Sequence, residues 1–213
     1  MAAVMLAACA PLALVAPVTP LLSIALASRG DDETTAKRIG ELERRQDWPG
    51  LAVLAGEHLQ REPGDPNWRL ILGYTQLRRG DFSGAEASFA QAVERRPEDI
   101  DAWNLLGESR RLAGRPVEAI ATLEHATTVH PGSVATRFLL GEACRDAGRP
   151  RQAISSYRES VRLEPGFAPG WFGLGVALLR AGPKEELPGI VERLDALDPV
   201  LARKLTVLQS GNS

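Results

Sequence analysis

Ile100–Gly132 reads IDAWNLLGESRRLAGRPVEAIATLEHATTVHPG, and its punctuation predicts two helices joined by a tight turn. Gly114 falls where the first helix should end, at the position where a C-terminal cap wants left-handed backbone. Pro116 then takes the opening turn of the second helix, where a missing amide proton costs nothing. Ala119 and Leu123 sit four apart, on one face of that helix. Pro131 stops it and turns the chain into whatever follows. In the first helix, Trp103-Asn104-Leu105-Leu106-Gly107 sets large apolar residues beside a glycine. With no side chain there, a neighbouring helix can approach closely.

The same marks recur on both sides of this stretch. Prolines fall at Pro63, Pro97, Pro131, Pro165 and Pro199, each 34 residues after the last. Gly73, Gly107, Gly141 and Gly175 keep that spacing, and so do Gly80, Gly114, Gly148 and Gly182. Ala85 with Phe89 and Ala153 with Tyr157 repeat the small-and-large pair of the second helix, and Pro150 repeats Pro116. The small residue is expected to face the partner helix and the large one to fill the gap between repeats. Three units follow the pattern closely: Pro66 to Glu98, Ile100 to Gly132 and Val134 to Gly166. The outer units depart from it. Residues 32–65 carry Ile39 in place of the first-helix glycine and Gln46 at the turn. Residues 168–199 keep Trp171, Leu174, Gly175, Gly182 and Pro199 but replace the Ala and Phe positions with Leu187 and Val191. There Pro188-Gly189 predicts a second helix that begins late or kinks. Beyond Pro199, Leu201, Leu205 and Leu208 with Arg203, Lys204 and Gln209 between them predict an amphipathic capping helix in 200–213.

This pattern resembles the tetratricopeptide repeat family, whose W-x2-L-G, A-x3-F and P signature is present almost entire over about residues 32 to 209. The resemblance implies an all-α fold: a right-handed superhelical solenoid of antiparallel helix-turn-helix repeats with a C-terminal capping helix. Residues 66–167 would form three regular repeats, between degenerate repeats at 32–65 and 168–199. It also implies that the first helices line a concave groove for a protein or peptide partner. Carried onto this chain, the groove residues are Asn67, Leu70 and Tyr74; Asp101, Asn104, Glu108 and Arg111; Phe138, Glu142 and Arg145; and Phe172, Val176 and Arg180. Apolar and charged side chains alternate along them, which suits an extended or helical segment with apolar anchors and flanking charges. Leu70, Phe138 and Phe172 equally fit a purely packing role, with the charges as a solvated face. The co-chaperone branch of the family clamps a terminal carboxylate with Lys, Asn and Arg. Here those positions hold Leu70, Tyr74, Leu105, Ala135 and Leu139, so a chaperone-tail receptor is disfavoured.

Composition narrows the function classes. The chain has 213 residues with a net charge of −2, its 25 basic side chains interleaved with 27 acidic ones. No concentrated basic stripe exists to neutralise phosphates, so nucleic acid is not an expected partner. Two cysteines, Cys9 and Cys144, can build neither a disulfide framework nor a four-ligand metal site. His125 and His130 lie five apart, on different sides of a helix, and read as surface or capping residues. Cys144 reads as a small buried hydrophobe. Arg79-Gly80-Asp81 spells an adhesion tripeptide that the inter-helix turn already explains. No phosphate-binding glycine loop and no nucleophile with a paired base occurs, so no catalytic residue, cofactor or metal is expected.

The N-terminus carries a different message. Ala2 to Ser28 contains no charged residue, a length that can span a bilayer core. Three readings of it stand side by side. It is an uncleaved anchor, interrupted by Pro11, Pro17 and Pro20; a secretory signal ending at Ala25-Leu26-Ala27, though Met1 to Met5 lacks Lys and Arg; or a lipoprotein signal ending at Leu6-Ala7-Ala8-Cys9. Residues 1–31 are therefore read as a targeting or anchoring segment with its linker. Taken with the repeats, they predict a non-catalytic scaffold or assembly factor in a bacterial cell envelope. A cytosolic adaptor or regulatory subunit whose apolar N-terminus docks on another protein is the alternative.

Overall fold

A computed structural model describes residues 33–211, and within them eleven α-helices and one short 3-10 turn, with no strand. The N-terminal segment and Cys9 lie outside the described residues. The chain divides into two compact units at Arg95 and Arg96. The first unit holds α1 (Glu33–Arg44), α2 (Trp48–Arg61), α3 (Pro66–Arg78) and α4 (Phe82–Arg95). The second holds α5 (Ile100–Leu112), α6 (Pro116–Val129), α7 (Val134–Asp146), α8 (Pro150–Leu163), α9 (Ala168–Ala181), α10 (Leu187–Leu197) and α11 (Pro199–Ser210). In both, each helix packs on the next, and in the second unit the first helices α5, α7 and α9 also pack side by side. This is the hairpin array expected from the 34-residue period.

The turns follow one local rule. At Gly80 the backbone amide donates to Leu77 O while Asp81 N–H reaches back to Gln76 O, closing the last turn of α3. Gly114 and Gly148 close α5 and α7 in the same way. All three have positive φ, +78°, +76° and +69°, the left-handed conformation in which glycine avoids a Cβ clash. The degenerate first repeat makes the same closure with Gln46, whose φ is 54°, so a side chain sits in strained backbone there. Gly182 does not continue the series: its φ is −118° and its amide makes an ordinary bond to Leu178 O. The expectation of a left-handed cap at that position is thus corrected. Its cause lies downstream, where Pro183 leads into a 3-10 turn (Lys184–Glu186) and the second helix starts late, with Pro188 in its first turn.

Between helices, the glycine series sets the spacing. A Cβ on Gly107 would lie 2.6 Å from Leu123 Cγ, and on Gly73 or Gly141 it would lie 2.6 Å from the rings of Phe89 or Tyr157. Leu123, Phe89 and Tyr157 are themselves completely buried, each contributing about 1.5 to 3 kcal/mol of apolar burial. In the last repeat the partner changes. Gly175 meets Leu205 of α11, at 2.5 Å from its added Cβ, and Val191 remains half-buried. The capping helix thereby supplies the large residue that its own hairpin lacks. Its buried side is Ala202 and Leu205, whereas Leu208 is 40% exposed, so the expected Leu201/Leu205/Leu208 stripe is only partly the docking side.

A further tie was not legible in advance. Trp103 Nε1 donates to Pro97 O (2.7 Å), Trp171 Nε1 to Pro165 O (3.0 Å), and Arg69, at the same repeat position, donates through Nη2 to Pro63 O (2.9 Å). The tryptophans are half-exposed. They pin the inter-repeat loop and are not core fillers. Trp68 instead fills the first unit, stacked on His58 at 3.8 Å.

Replacing Gln46 by glycine should stabilise the protein by about 1 kcal/mol, the cost of left-handed backbone for a residue with a Cβ. Chemical denaturation of both proteins measures it; an unchanged or lower stability would contradict the strained turn.

Candidate functional site

In the first unit, Asn67, Leu70 and Tyr74 project from α3 and all three are buried. The ring of Tyr74 meets Trp48 edge-on at 5.8 Å, and its hydroxyl accepts a hydrogen bond from Arg78 Nη1 at 3.1 Å. The Arg78 guanidinium lies 4.4 Å from the Trp48 ring centre, a cation–π contact. Burial raises the pKa of Tyr74, with Glu43 adding to it and Arg78 opposing. Glu43 itself is raised by burial, and its Oε1 is enclosed without a hydrogen bond. Leu70 therefore packs, as its alternative reading allows, and Tyr74, expected to line the groove, packs as well.

In the second unit, polar contacts tie the first helices α5 and α7 together at two places. Thr136 Oγ1 on α7 donates to Asn104 Oδ1 on α5 (2.7 Å). Below it, Arg111 grips Glu108 with Nε and Nη2, both at 2.8 Å, and donates through Nη1 to Asp146 Oδ2 on α7 at 2.5 Å. Asp146 Oδ1 in turn accepts from Arg145 Nη2 (3.0 Å), and Arg145 Nη1 donates to Glu142 Oε1 (2.7 Å). The hydroxyl of Tyr157, reaching from α8, donates to that same Glu142 oxygen at 2.5 Å. Two arginines and three carboxylates so form one chain of ion pairs. Glu108 and Arg111 are nearly sealed, with side chains 4% and 6% exposed, while Asp146 keeps 32%.

The electrostatics follow from that burial. Desolvation opposes charge on Arg111, but Glu108 and Asp146 outweigh it and its pKa is raised. Burial pushes the Glu108 carboxyl above its ordinary value of 4.5, with Arg111 pulling against it. Tyr157 is raised by burial and then by Glu142, so it stays a proton donor. Asp101, half-buried at the start of α5, is raised by burial and by Asp99.

The remaining expected groove residues divide by accessibility. Phe138 is 5% exposed, wedged between Tyr157 (5.7 Å) and Phe167 (5.4 Å), and so packs. Phe172 and Val176 on α9 are half-exposed, and Arg180 one turn further is exposed, with no ion pair among the described residues. Beside them, Glu142, Arg145 and Asp146 form the accessible rim of α7. The family pattern did not point to Asp146 or Thr136, and it marked Tyr157 only as packing bulk, not as a hydroxyl donor to Glu142. The one available signal was the spacing Glu142, Arg145, Asp146, which sets two acids around an arginine on a single helix face.

Other candidate groups are accounted for structurally. Cys144 is buried, and burial followed by the Glu124 charge pushes its thiol up to about 11, the opposite of an activated cysteine. His125 lies against Trp103 at 4.5 Å and His130 Nε2 bonds Glu98 O at 2.9 Å. A polar surface recess of about 270 Å³ beside Pro63 and Gly64 is lined by Arg69, Gln91, Glu94 and Arg95, with no nucleophile among them. Among the described residues no group of three or more metal-ligating side chains gathers, and no helix is long and apolar enough to cross a membrane.

Comparison with known proteins supports the same fold. The tetratricopeptide repeat family model matches residues 70–134 and 138–186, more than half of the chain. No curated protein sequence matches it. Among solved structures, YrrB, described as a TPR protein with an unusual peptide-binding site, is 16% identical over 88% of this chain and 98% of its own, with a TM-score of 0.63. A thermophilic TPR protein of Thermus thermophilus is 20% identical over 81% and 93%, with a TM-score of 0.62. MamA of Desulfovibrio magneticus RS-1, from residue 41 to its end, is 18% identical over 91% and 96%, with a TM-score of 0.61. At such identities the likeness is one of fold.

Replacing Arg111 by methionine strands the Glu108 carboxylate in the interior, so stability should fall by about 3 to 5 kcal/mol at neutral pH. A carboxyl whose folded pKa is raised keeps its proton where the unfolded chain has lost it, so this penalty grows as pH rises through that window and shrinks below it. Urea titrations should show the variant recovering relative to the parent as pH is lowered towards the ordinary carboxylate range. Adding Glu108→Leu to the variant should restore most of the loss; a double variant as weak as the single one would contradict a buried ion pair.

Proposed function

Because the chain belongs to the tetratricopeptide repeat family, whose fold is a protein-interaction scaffold, we propose that it is a non-catalytic scaffold or assembly factor that holds a polypeptide segment against its first-helix face. The observation that carries this is the division of that face. Most of its charges are already paired with one another, and what stays accessible is an apolar pair, Phe172 and Val176, with Arg180 at one end and the Glu142/Arg145/Asp146 rim beside it. Half-exposed aromatic and aliphatic side chains framed by charge suit a peptide with one or two apolar anchors. YrrB, with its peptide-binding site on a like fold, makes a peptide-class ligand a reasonable extension. In this reading Asn104, Glu108, Arg111 and Phe138 support the face from beneath and Asp101 sits at its margin, whereas Asn67, Leu70 and Tyr74 pack within the first unit.

The proposal extends to location. The uncharged stretch Ala2 to Ser28 supports membrane attachment or export, which would put the scaffold in a bacterial cell envelope and its partner in an envelope assembly. Carbonate extraction of native cells tests this: full-length, uncleaved protein in the soluble fraction would instead place the chain among cytosolic adaptors.

For the groove, Phe172→Glu combined with Arg180→Glu should weaken capture of the native partner by about 30-fold or more, the effect of losing a hot-spot residue worth about 2 kcal/mol. Helicity and melting cooperativity should stay near those of the parent. Unchanged capture by a folded double variant would remove α9 from the binding face.

A further inference from the structure

Helix α11 is anchored on one side only. Ala202 and Leu205 are buried, Leu205 in the space beside Gly175, and Asp198 caps the helix by accepting from the amides of Val200 (2.9 Å) and Leu201 (3.1 Å). The opposite side is unusually apolar. Val200 is 51% exposed, Val207 69% and Leu208 40%, and the other large hydrophobics this exposed among the described residues, Val53 and Val117, stand singly on α2 and α6. Helical spacing puts Val200, Val207 and Leu208 along one stripe. Lys204 interrupts that stripe midway, one turn from both Val200 and Leu208, Arg203 borders it, and the helix contains no acidic residue. Arg203 Nε donates only to Pro199 O of its own helix, at 3.2 Å, and neither cation has a carboxylate partner among the described residues.

We propose that the outer face of α11 is a second docking surface, separate from the first-helix face, for an amphipathic helix of a partner protein. That helix would lay an aliphatic stripe on Val200, Val207 and Leu208 and bring Asp or Glu residues to Arg203 and Lys204. A regular, firmly capped helix offers the ridges and grooves that another helix packs into. Two uncompensated cations in the turn between Val200 and Val207 select acidic residues at the matching turn of that helix. They also select against a second copy of this chain. Arg203 and Lys204 lie at the middle of Pro199–Ser210, so a symmetric antiparallel pair would set them against their own copies at the two-fold axis.

The test places a photo-crosslinking side chain at position 207 of the full-length protein in its native host and identifies the attached peptide by mass spectrometry. The expected result is a protein adduct whose attached segment repeats aliphatic residues at helical spacing and carries an excess of Asp and Glu. Arg203→Glu with Lys204→Glu should cut the yield about tenfold or more, while circular dichroism and crosslinking from position 172 on α9 remain unchanged. Position 172 reports the groove separately, so failure there alone leaves this surface standing. The proposal is overturned by an adduct joining two copies through α11, by an adduct to lipid only, by a basic or non-helical attached segment, by a yield indifferent to the charge reversal, or by no protein adduct at all.

Discussion

Four side chains that are absent hold this fold together. At Gly73, Gly107, Gly141 and Gly175 a helix comes so close to a large residue elsewhere in the stack that even a methyl group would stand 2.5 to 2.6 Å from it. Contacts that short do not occur between real atoms, so each glycine sets the distance between two helices. Phe89, Leu123, Tyr157 and Leu205 are the matching bulk. Because the pairing recurs every 34 residues, the helices of each unit share one spacing. The faces that remain are then fixed in advance.

The same 34-residue repeat orders the chemistry of the first helices. Tyr74, Glu108, Glu142 and Val176 occupy one repeat position, and Leu77, Arg111, Arg145 and Leu179 another. Where both members are charged, on the adjacent first helices α5 and α7, acids and guanidinium groups meet in one layer that is sealed at Glu108 and Arg111 and open to solvent at Arg145 and Asp146. Such a network adds little net stability, since desolvation offsets most of the Coulomb gain, but an unpaired member is costly. It therefore favours one register of α5 on α7. On α9 the same positions are aliphatic, and no ion pair closes over Phe172 and Val176. The accessible apolar surface of the face is what the network leaves uncovered.

The hairpins, their turns and their limits were legible because they depend on local rules: a proline in an opening turn, a glycine in left-handed backbone, a small residue opposite a large one. Gln46 shows the rule acting even where its preferred residue is missing. Depth was not legible. A 3.6-residue period says which side of a helix looks inward, not whether Leu70, Tyr74 and Phe138 end beneath a surface or on it. Partners far apart in sequence were equally hidden. Nothing local announces that Leu205 will take the place of Val191 against Gly175, or that Arg111 will reach Asp146 on the next first helix. The Trp103 and Trp171 indoles were read as bulk, and their ring N–H groups turned out to matter more, because a proline carbonyl waits six residues upstream.

The dependence of the stack on these missing side chains is open to direct measurement by a double-mutant cycle between Gly107 and Leu123. In the parent, Gly107→Ala forces a Cβ into Leu123 and should cost about 1 to 3 kcal/mol. In a Leu123→Ala background the obstruction is gone, and the same change should be neutral or stabilising by up to about 1 kcal/mol, the helix preference of alanine over glycine. Strong coupling of that sign is the predicted result; two effects that simply add would contradict the claim that this contact sets the distance between the helices.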